Sequence, residues 1–230
     1  MGAVVTAVTL GALSEATALA APPENDEEGR AETVQVTAPR PVPSYGTRVQ
    51  ETGSRYDAPI DDGPQSNTFV NRQLMDDVGA RRTDDVLPVV PGVQLYSGYG
   101  GTWDDYTVRG FHVWSATTYR DGFVSGYSGA NAVDAVNVER VEVLRGPASA
   151  LYGPGLPGGS INFVTKRPLP ERHLDAAVTA GSFATYRAAV DATGPLTDGL
   201  RYRVTASGET TAGYRDFNDF HRWLVNPVVV

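Results

Sequence analysis

The chain contains 230 residues, carries a formal net charge of −8 at pH 7 and has no cysteine. The missing cysteines exclude disulfide bridges and thiolate metal sites within this sequence. The arginines are scattered among carboxylates instead of forming a basic stripe, so we expect no nucleic acid as a partner.

Residues 1–20 form an apolar stretch of small side chains that ends in Ala18-Leu19-Ala20. Signal peptidase accepts such a small-x-small ending. We therefore predict a secretory signal peptide over residues 1–20, cleaved after Ala20, and an exported protein.

Residues 21–56 are rich in proline, glycine and acidic side chains and hold too little apolar surface to build a core, which predicts a disordered tail. One short island in this tail alternates polar and β-branched residues before Pro39 stops it. The island consists of Glu32, Thr33, Val34, Gln35, Val36, Thr37 and Ala38. Such a segment can pair as an added strand with the sheet edge of a partner, and chance alternation in a linker is the alternative explanation.

Short helices are predicted at the start of residues 57–168. Asn71 can cap a helix over residues 71–78, which Gly79 ends. Thr83 can cap a second helix, which Pro88 and Pro91 stop. These short helices predict a compact domain in which strands supply most of the core.

Strand signals follow the two predicted helices. Runs rich in β-branched and aromatic residues predict strands at 93–96, 106–111, 118–123, 138–145 and 161–165, with a short helix at 147–152. Strands and short helices in this order predict an α+β domain built on a small mixed sheet.

Alternation with period two begins at His173. In the first run Leu174, Ala176 and Val178 alternate with more polar neighbours, and turns are predicted at 181–183 and 194–195. One apolar and one polar face per strand is what a wall between lipid and an aqueous lumen requires. A soluble antiparallel sheet is the alternative, because alternation alone does not distinguish lipid from a protein core.

Two motifs point to a family. The run at 138–168, VERVEVLRGPASALYGPGLPGGSINFVTKRP, and the pair Arg109-Gly110-Phe111 with Asp121-Gly122 resemble the plug signature of TonB-dependent outer-membrane receptors, especially those for ferric siderophores. The resemblance implies an α+β plug domain at 57–168 and, at 169–230, the first antiparallel strands of a transmembrane β-barrel. Roughly four strands are fewer than the about eight that the smallest membrane barrel needs, so we expect a truncated chain.

The resemblance also implies a mechanism and partners. Residues 32–38 would be the TonB box that the periplasmic domain of TonB pulls, while a ferric siderophore binds the plug inside a barrel held in outer-membrane lipid. No catalytic constellation is visible, so we expect no enzyme and no cofactor, with iron entering only as part of the siderophore. A receptor for another nutrient, such as a cobalamin or a glycan, and a non-transporting plug that only binds are the alternatives.

Two sets of site residues follow from the same resemblance. Aromatic side chains on glycine-rich connections would form the ligand platform, because they offer flat apolar contact with a polar tip. These are Tyr96, Tyr99, Trp103, Trp114 and Tyr127. Arg109 and Arg145 would lock the plug to glutamates of the barrel wall, since a guanidinium can bind carboxylates bidentately. Local pairing among Glu139, Arg140 and Glu142 is the alternative use of charge in this region.

Overall fold

The computed structural model describes residues 45, 49–50, 58–59, 66–97, 103–113, 118–125, 132–146, 157–213, 215 and 217–230. The predicted signal peptide, most of the predicted tail, the segment at 32–38 and the predicted helix at 147–152 lie outside these residues.

The elements follow one another along the chain in this order: β1 (Val49–Gln50), β2 (Ala58–Pro59), β3 (Ser66–Asn71), α1 (Arg72–Asp77), 3-10 turns at Thr83–Asp85 and Leu87–Val89, β4 (Val93–Ser97), β5 (Asp105–Val108), β6 (Phe111–Val113), β7 (Thr118–Arg120), β8 (Phe123–Val124), a 3-10 turn at Ala135–Asn137, β9 (Val138–Arg145), β10 (Gly159–Thr165), β11 (His173–Gly181), β12 (Thr185–Thr197), β13 (Leu200–Thr211) and β14 (Phe220–Val229).

The core of the predicted plug is a five-stranded sheet in the order β3-β9-β10-β7-β8. Strands β9 and β10 pair antiparallel, whereas β10 and β7 pair parallel, so the sheet is mixed as predicted. Both central strands are buried over most of their length, and Val141, Val143, Ile161 and Phe163 are their buried apolar residues. Burial of such strands on both faces supplies most of the apolar stabilisation of this domain.

The predicted first helix is present as α1. The Oδ1 of Asn71 accepts a hydrogen bond from the Leu74 amide at 3.0 Å, and Gly79 follows the helix with a φ of 65°. Both the cap and the stop were predicted from residue type. Within the described residues, no helix is both long and apolar enough to cross a membrane.

The prediction of a second helix that begins at Thr83 is wrong. The chain forms two short 3-10 turns instead, at Thr83–Asp85 and Leu87–Val89. The Thr83 hydroxyl does not cap a helix; it is buried and lies 3.1 Å from a carboxylate oxygen of Asp104. A tertiary partner and Pro88 inside the second turn therefore override the local helix signal.

The strand predicted at 106–111 is split in two. Strands β5 and β6 form a hairpin whose turn residues, Arg109 and Gly110, have φ angles of 53° and 83°. Positive φ at both central residues is the geometry of a two-residue type I′ turn, which the right-handed strand twist favours. Strand β4 completes a three-stranded antiparallel sheet in the order β4-β5-β6.

The last four strands, β11 to β14, form a consecutive antiparallel sheet that we call the wall. The turn predicted at 194–195 is wrong, because β12 continues to Thr197 and the chain turns at Gly199, whose φ is 84°. Pro195 lies beside an irregularity in the pairing with β13, where a missing amide donor is tolerated. Gly194 allows the Arg172 side chain to pack closely against β12, because a Cβ at position 194 would lie only 2.9 Å from the Arg172 Cγ.

The wall has its two faces reversed relative to a soluble sheet. Its apolar face is exposed, with Trp223 80% and Val178 64% accessible, together with Leu174, Tyr186 and Val225. Its polar face is turned toward the plug and is buried on β12 and β13, where it carries Thr185, Arg187, Asp191, Thr193, Arg203, Thr205, Ser207 and Glu209. A soluble antiparallel sheet buries its apolar face, so the alternative of an ordinary soluble sheet does not fit.

Candidate ligand-binding and plug–wall sites

One end of the three-stranded sheet holds two of the five predicted ligand residues. Strand pairing places Ser97 opposite Asp105 and Tyr106 opposite Val113, so the end of β4, the start of β5 and the end of β6 lie together. Tyr96 is 63% exposed at this end, and Trp103, just before β5, is also exposed. The other predicted residues, Tyr99, Trp114 and Tyr127, lie outside the described residues.

His112 lies beside Tyr96 and was not among the predicted ligand residues. The two ring centroids are 4.4 Å apart with planes tilted by 35°. A carboxylate oxygen of Asp105 is hydrogen-bonded to the Nε2 of His112 and orients the imidazole. Once the hairpin turn at Arg109-Gly110 is known, period-two spacing places Asp105 and His112 on one face of the sheet. Tyr96, Asp105 and His112 therefore form one cluster, the Tyr96 face.

A buried acidic cluster lies behind the Tyr96 face. The Arg82 guanidinium donates to Asp84 at 2.5 Å and to Asp104 at 2.6 Å, and the Tyr106 hydroxyl donates to Asp84 at 2.6 Å. One cation between two carboxylates leaves an excess negative charge. Burial, and then the charge of Asp104, raise the pKa of Asp84 to about 7. Asp104 also accepts from the Val133 amide at 2.6 Å, which ties β5 to the next part of the plug.

Residues 133–138, which we call the Asp134 turn, hold several plug elements together. Asp134 caps the 3-10 turn Ala135–Asn137 by accepting from the Val136 amide at 2.9 Å. The Arg72 side chain from α1 donates to the Ala135 carbonyl at 2.6 Å, and the Ala135 amide donates to the Arg81 carbonyl at 3.0 Å. The position of this turn therefore fixes α1 and the segment that follows it.

The Asp134 turn is also the main contact with the wall. The two terminal nitrogens of Arg187 donate to the two carboxylate oxygens of Asp134 at 2.9 and 2.7 Å, and the Ser207 hydroxyl donates at 2.7 Å. The side chain of Asp134 is only 2% exposed. Burial acts to raise the pKa of Asp134, but the hydrogen bonds and charge of Arg187 outweigh it and hold the pKa below its usual range. Asp134 is thus held as a carboxylate by groups from the wall.

Glu209 of the wall extends this contact. It pairs with Arg187 at 3.3 Å, with Arg222 at 2.7 Å and with Arg81 of the plug at 3.2 Å. Asp134 and Glu209 are therefore joined through the shared Arg187 in one buried network that crosses from plug to wall. Buried carboxylates need such partners, since an unpaired buried charge is costly.

A second polar contact lies where the plug passes into the wall. Asp191 accepts two hydrogen bonds from Arg203, at 2.8 and 2.7 Å, and one from Lys166 at 2.6 Å. The Leu169 amide donates to the Thr193 hydroxyl at 2.9 Å. Charged groups of the plug and its connecting segment thus meet the inner face of the wall at two separate places.

The predicted lock residues lie elsewhere. Arg109 occupies the exposed hairpin turn, and Arg145 lies at the end of β9, where it donates to the Pro91 carbonyl at 3.4 Å. Their pairing with barrel glutamates stays a prediction. Arg140 and Glu142, which were the alternative local pair, lie 2.6 Å apart on β9.

A half-open cavity of about 850 Å³ lies between plug and wall. It is bordered by α1, by the ends of β9 and β10 and by β11 to β13, and Lys166, Arg187, Asp191 and Arg203 are among its lining residues. The ion pairs therefore border open space. Contact between plug and wall at this place depends on polar bonds more than on continuous apolar packing.

Known proteins resemble both parts of the chain. Residues 59–160 match the model of the TonB-dependent receptor plug domain. The metal-pseudopaline receptor of Pseudomonas aeruginosa strain UCBPP-PA14 is 39% identical over 229 residues, which are 97% of this chain and 32% of that receptor. The ferripyoverdine receptor of P. aeruginosa PAO1 is 36% identical over 183 residues, 77% of this chain and 22% of that receptor. The chain thus spans about a third or less of the length of these relatives.

Solved structures agree. The pyoverdine outer membrane receptor of P. aeruginosa PAO1, bound to pyoverdine, superposes with a TM-score of 0.73 and 32% identity over 81% of this chain and 28% of that one. The ferric-catecholate import receptor of Escherichia coli K12 gives a TM-score of 0.66 and 33% identity over 74% of this chain and 25% of that one. A match over 81% of the chain is too long to be confined to residues 59–160. The chain therefore belongs to the TonB-dependent receptors, with an α+β plug followed by the first antiparallel strands of the β-barrel.

Proposed function

We propose that the protein acts as an outer-membrane receptor that takes up a ferric siderophore with energy from TonB. The observation that carries this proposal is a plug bound to the polar face of a wall whose other face is apolar and exposed. Such a wall suits a boundary between outer-membrane lipid and an aqueous lumen. The named activities of the relatives, ferripyoverdine and ferric-catecholate reception, support the choice of ligand class.

The ligand binds at the Tyr96 face in this proposal. Tyr96 and Trp103 present exposed aromatic surface at the end of the sheet from which the glycine-rich segment 98–102 departs. Aromatic rings with polar tips suit a bulky chelate that is partly apolar. Iron is cargo inside the siderophore, and the protein requires no cofactor of its own.

Energy coupling is assigned to residues 32–38. An extended segment that alternates polar and β-branched side chains can add as a strand to the sheet edge of the periplasmic domain of TonB. Force applied there would act on the plug from its N-terminal side. A protein that only binds its ligand would not need this segment.

A chelate of a metal other than ferric iron is the second candidate. It is favoured by the 39% identity to receptors named for metal-pseudopaline, compared with 36% for the ferripyoverdine receptor. The two candidates share the architecture and differ only in the ligand at the plug.

Uptake assays with labelled chelates test the proposal. Cells that express the complete gene should accumulate radiolabelled iron from a siderophore and grow under iron limitation, and deletion of the gene should abolish both. Deletion of residues 32–38 should abolish uptake while binding persists, and Tyr96→Ala should weaken binding; Tyr186→Ala, which alters an exposed aromatic on the wall, is the control. Uptake only of chelates of a metal other than iron would select the second candidate, and uptake that survives deletion of 32–38 would refute energy coupling through this segment.

A further inference from the structure

Retention of the plug is a property separate from ligand uptake, and the predicted lock at Arg109 and Arg145 does not account for the contacts between plug and wall. We propose that Asp134 is the positioning residue that fastens the plug to the first strands of the wall. The plug supplies the carboxylate and the wall supplies the arginine, with Arg187 as the principal partner. In the predicted lock, by contrast, the plug supplies the arginines and the barrel wall supplies the carboxylates.

The coordination of Asp134 supports this assignment. Its carboxylate accepts four hydrogen bonds, one from the Val136 amide, two from Arg187 and one from the Ser207 hydroxyl. Three of the four come from β12 and β13 of the wall. The pairing with Arg187 is bidentate and buried, which is the strong form of an arginine–carboxylate contact.

The position of Asp134 within the plug explains why one residue can hold a whole domain. Arg82 and Asp134 form an isolated β-bridge, and the Asp104 carboxylate accepts from the neighbouring Val133 amide. At the other end of the Asp134 turn, the Lys166 amide donates to the Asn137 carbonyl at 2.9 Å. The acidic cluster behind the Tyr96 face and the end of β10 are thus both bonded to the Asp134 turn.

The chemistry of the site makes Asp134 difficult to replace. All four bonded groups are donors, so Asn in the same place would turn an amide NH₂ toward at least one of them. Arg187 would then retain only Glu209 as a charged partner in a buried place. Removing one partner of a buried ion pair is far more damaging than replacing both. The half-open cavity of about 850 Å³ beside Arg187 leaves the packing between plug and wall discontinuous at this place.

Permeability of the outer membrane measures plug retention without any ligand. In the receptor expressed from its complete gene, Asp134→Asn should make cells about tenfold more sensitive to a bulky glycopeptide antibiotic, since one partner of a buried pair is removed. Equilibrium binding of the chelate to the same cells should change less than about twofold, because the bonds from the Asp134 turn to the acidic cluster behind the Tyr96 face use backbone atoms of residues 133 and 134. Asp77→Asn, which changes an exposed plug carboxylate, is the matched control and should have no effect.

Two further variants separate positioning from general damage. The double variant Asp134→Asn with Arg187→Gln should leak no more than the leakier of the two single variants, because both substitutions remove the same contact between Asp134 and Arg187. The sequence has no cysteine, so Asp134→Cys with Ser207→Cys introduces a single pair within this chain. Cells that carry this double-cysteine receptor should be permeable to the antibiotic when the cysteines are reduced. They should become impermeable again when oxidation joins the cysteines in a disulfide.

Three results would overturn the proposal. The first is an Asp134→Asn receptor that makes cells no more sensitive to the antibiotic than the unaltered receptor does. The second is permeability of cells with the reduced cysteine variant that oxidation does not reverse. The third is absence of both Asp134 variants from the outer membrane while Asp77→Asn is present, since Asp134 would then act in folding and not in holding the plug. None of these results depends on chelate uptake, so failure of the proposed function would be seen separately.

Discussion

The five-stranded sheet of the plug buries mostly apolar side chains, with Glu142 and Asn162 as polar exceptions, whereas the four-stranded wall buries polar ones. In the plug, Val141, Ile161 and Phe163 are buried and apolar, whereas in the wall Arg187 and Glu209 are buried and the apolar residues face outward. The alternation of residue types in the sequence does not reveal this difference in direction. The surroundings of a sheet decide which of its faces becomes the interior.

This contrast changes what stabilises each region. Apolar burial in the plug is non-directional and scales with the area removed from water. The buried face of the wall is polar, so each of its charges needs a partner of defined geometry, as Asp191 has in Arg203 and Lys166. Substitutions should therefore have different effects in the two regions.

The largest effect is expected in the core of the plug. Phe163→Ala should destabilise the plug by about 3–5 kcal/mol, because a fully buried aromatic ring is lost and a cavity remains. Limited proteolysis of the detergent-solubilised receptor should show faster cleavage within the plug. The matched substitution Phe183→Ala, at an exposed position, should leave the rate unchanged. Equal cleavage in both variants would show that the plug is not held by its apolar core.

A buried charge of the wall should come next. Glu209→Gln should cost about 3 kcal/mol, because Arg81, Arg187 and Arg222 lose a shared carboxylate in a buried place. The loss should appear as a lower temperature of unfolding of the receptor. Glu171→Gln, at an exposed residue before the wall, provides the control. An unchanged unfolding temperature would mean that water compensates for the missing charge.

The outer face of the wall offers a test of its surroundings. Val190 lies between Ala176 and Ala206 on the neighbouring strands. Val190→Lys should cost about 2 kcal/mol if this face contacts lipid, whereas a surface position in water tolerates lysine. Refolding into lipid bilayers, compared with Val190→Leu, measures the difference. A lysine variant that refolds as well as the leucine variant would contradict a lipid-facing wall.

Local features of the fold could be predicted from the sequence, and long-range partners could not. Asn71 and Gly79 bound a helix through their own chemistry, and alternation from His173 onward identifies the wall strands. In contrast, Asp134 and Arg187 are 53 positions apart, and their pairing depends on how two sheets pack.

The candidate site follows the same division. Tyr96 was predicted from its residue type and its glycine-rich neighbourhood, and the structure places it at an exposed sheet end. His112 was missed because a single strand was predicted across Arg109-Gly110, which hides the cross-strand relation of His112 to Asp105. The turn geometry had to be known before the register could be derived.

The pH dependence of stability is expected to come from two buried plug carboxylates, whose pKa values move in opposite directions. The pKa of Asp84 is raised from 3.8 to about 7, so its protonated form is favoured in the folded state. Its contribution to stability is fully present below about pH 4 and is lost as the pH rises toward 7, by at most about 1.4 kcal/mol per pH unit. The pKa of Asp134 is lowered, so its contribution is present above about pH 4 and is lost as the pH falls further.

Unfolding of the receptor between pH 4 and pH 8 separates these two contributions. Asp84→Asn should flatten the decline in stability between pH 4 and pH 7, because the group that titrates in that window is gone. Asp134→Asn should leave that decline in place, since Asp134 stays ionised throughout the window. A decline that persists unchanged in Asp84→Asn would mean that another group titrates in this window and that Asp84 stays ionised in the folded state. The acidic cluster would then behave like the wall, where charges are balanced by partners and not by protonation.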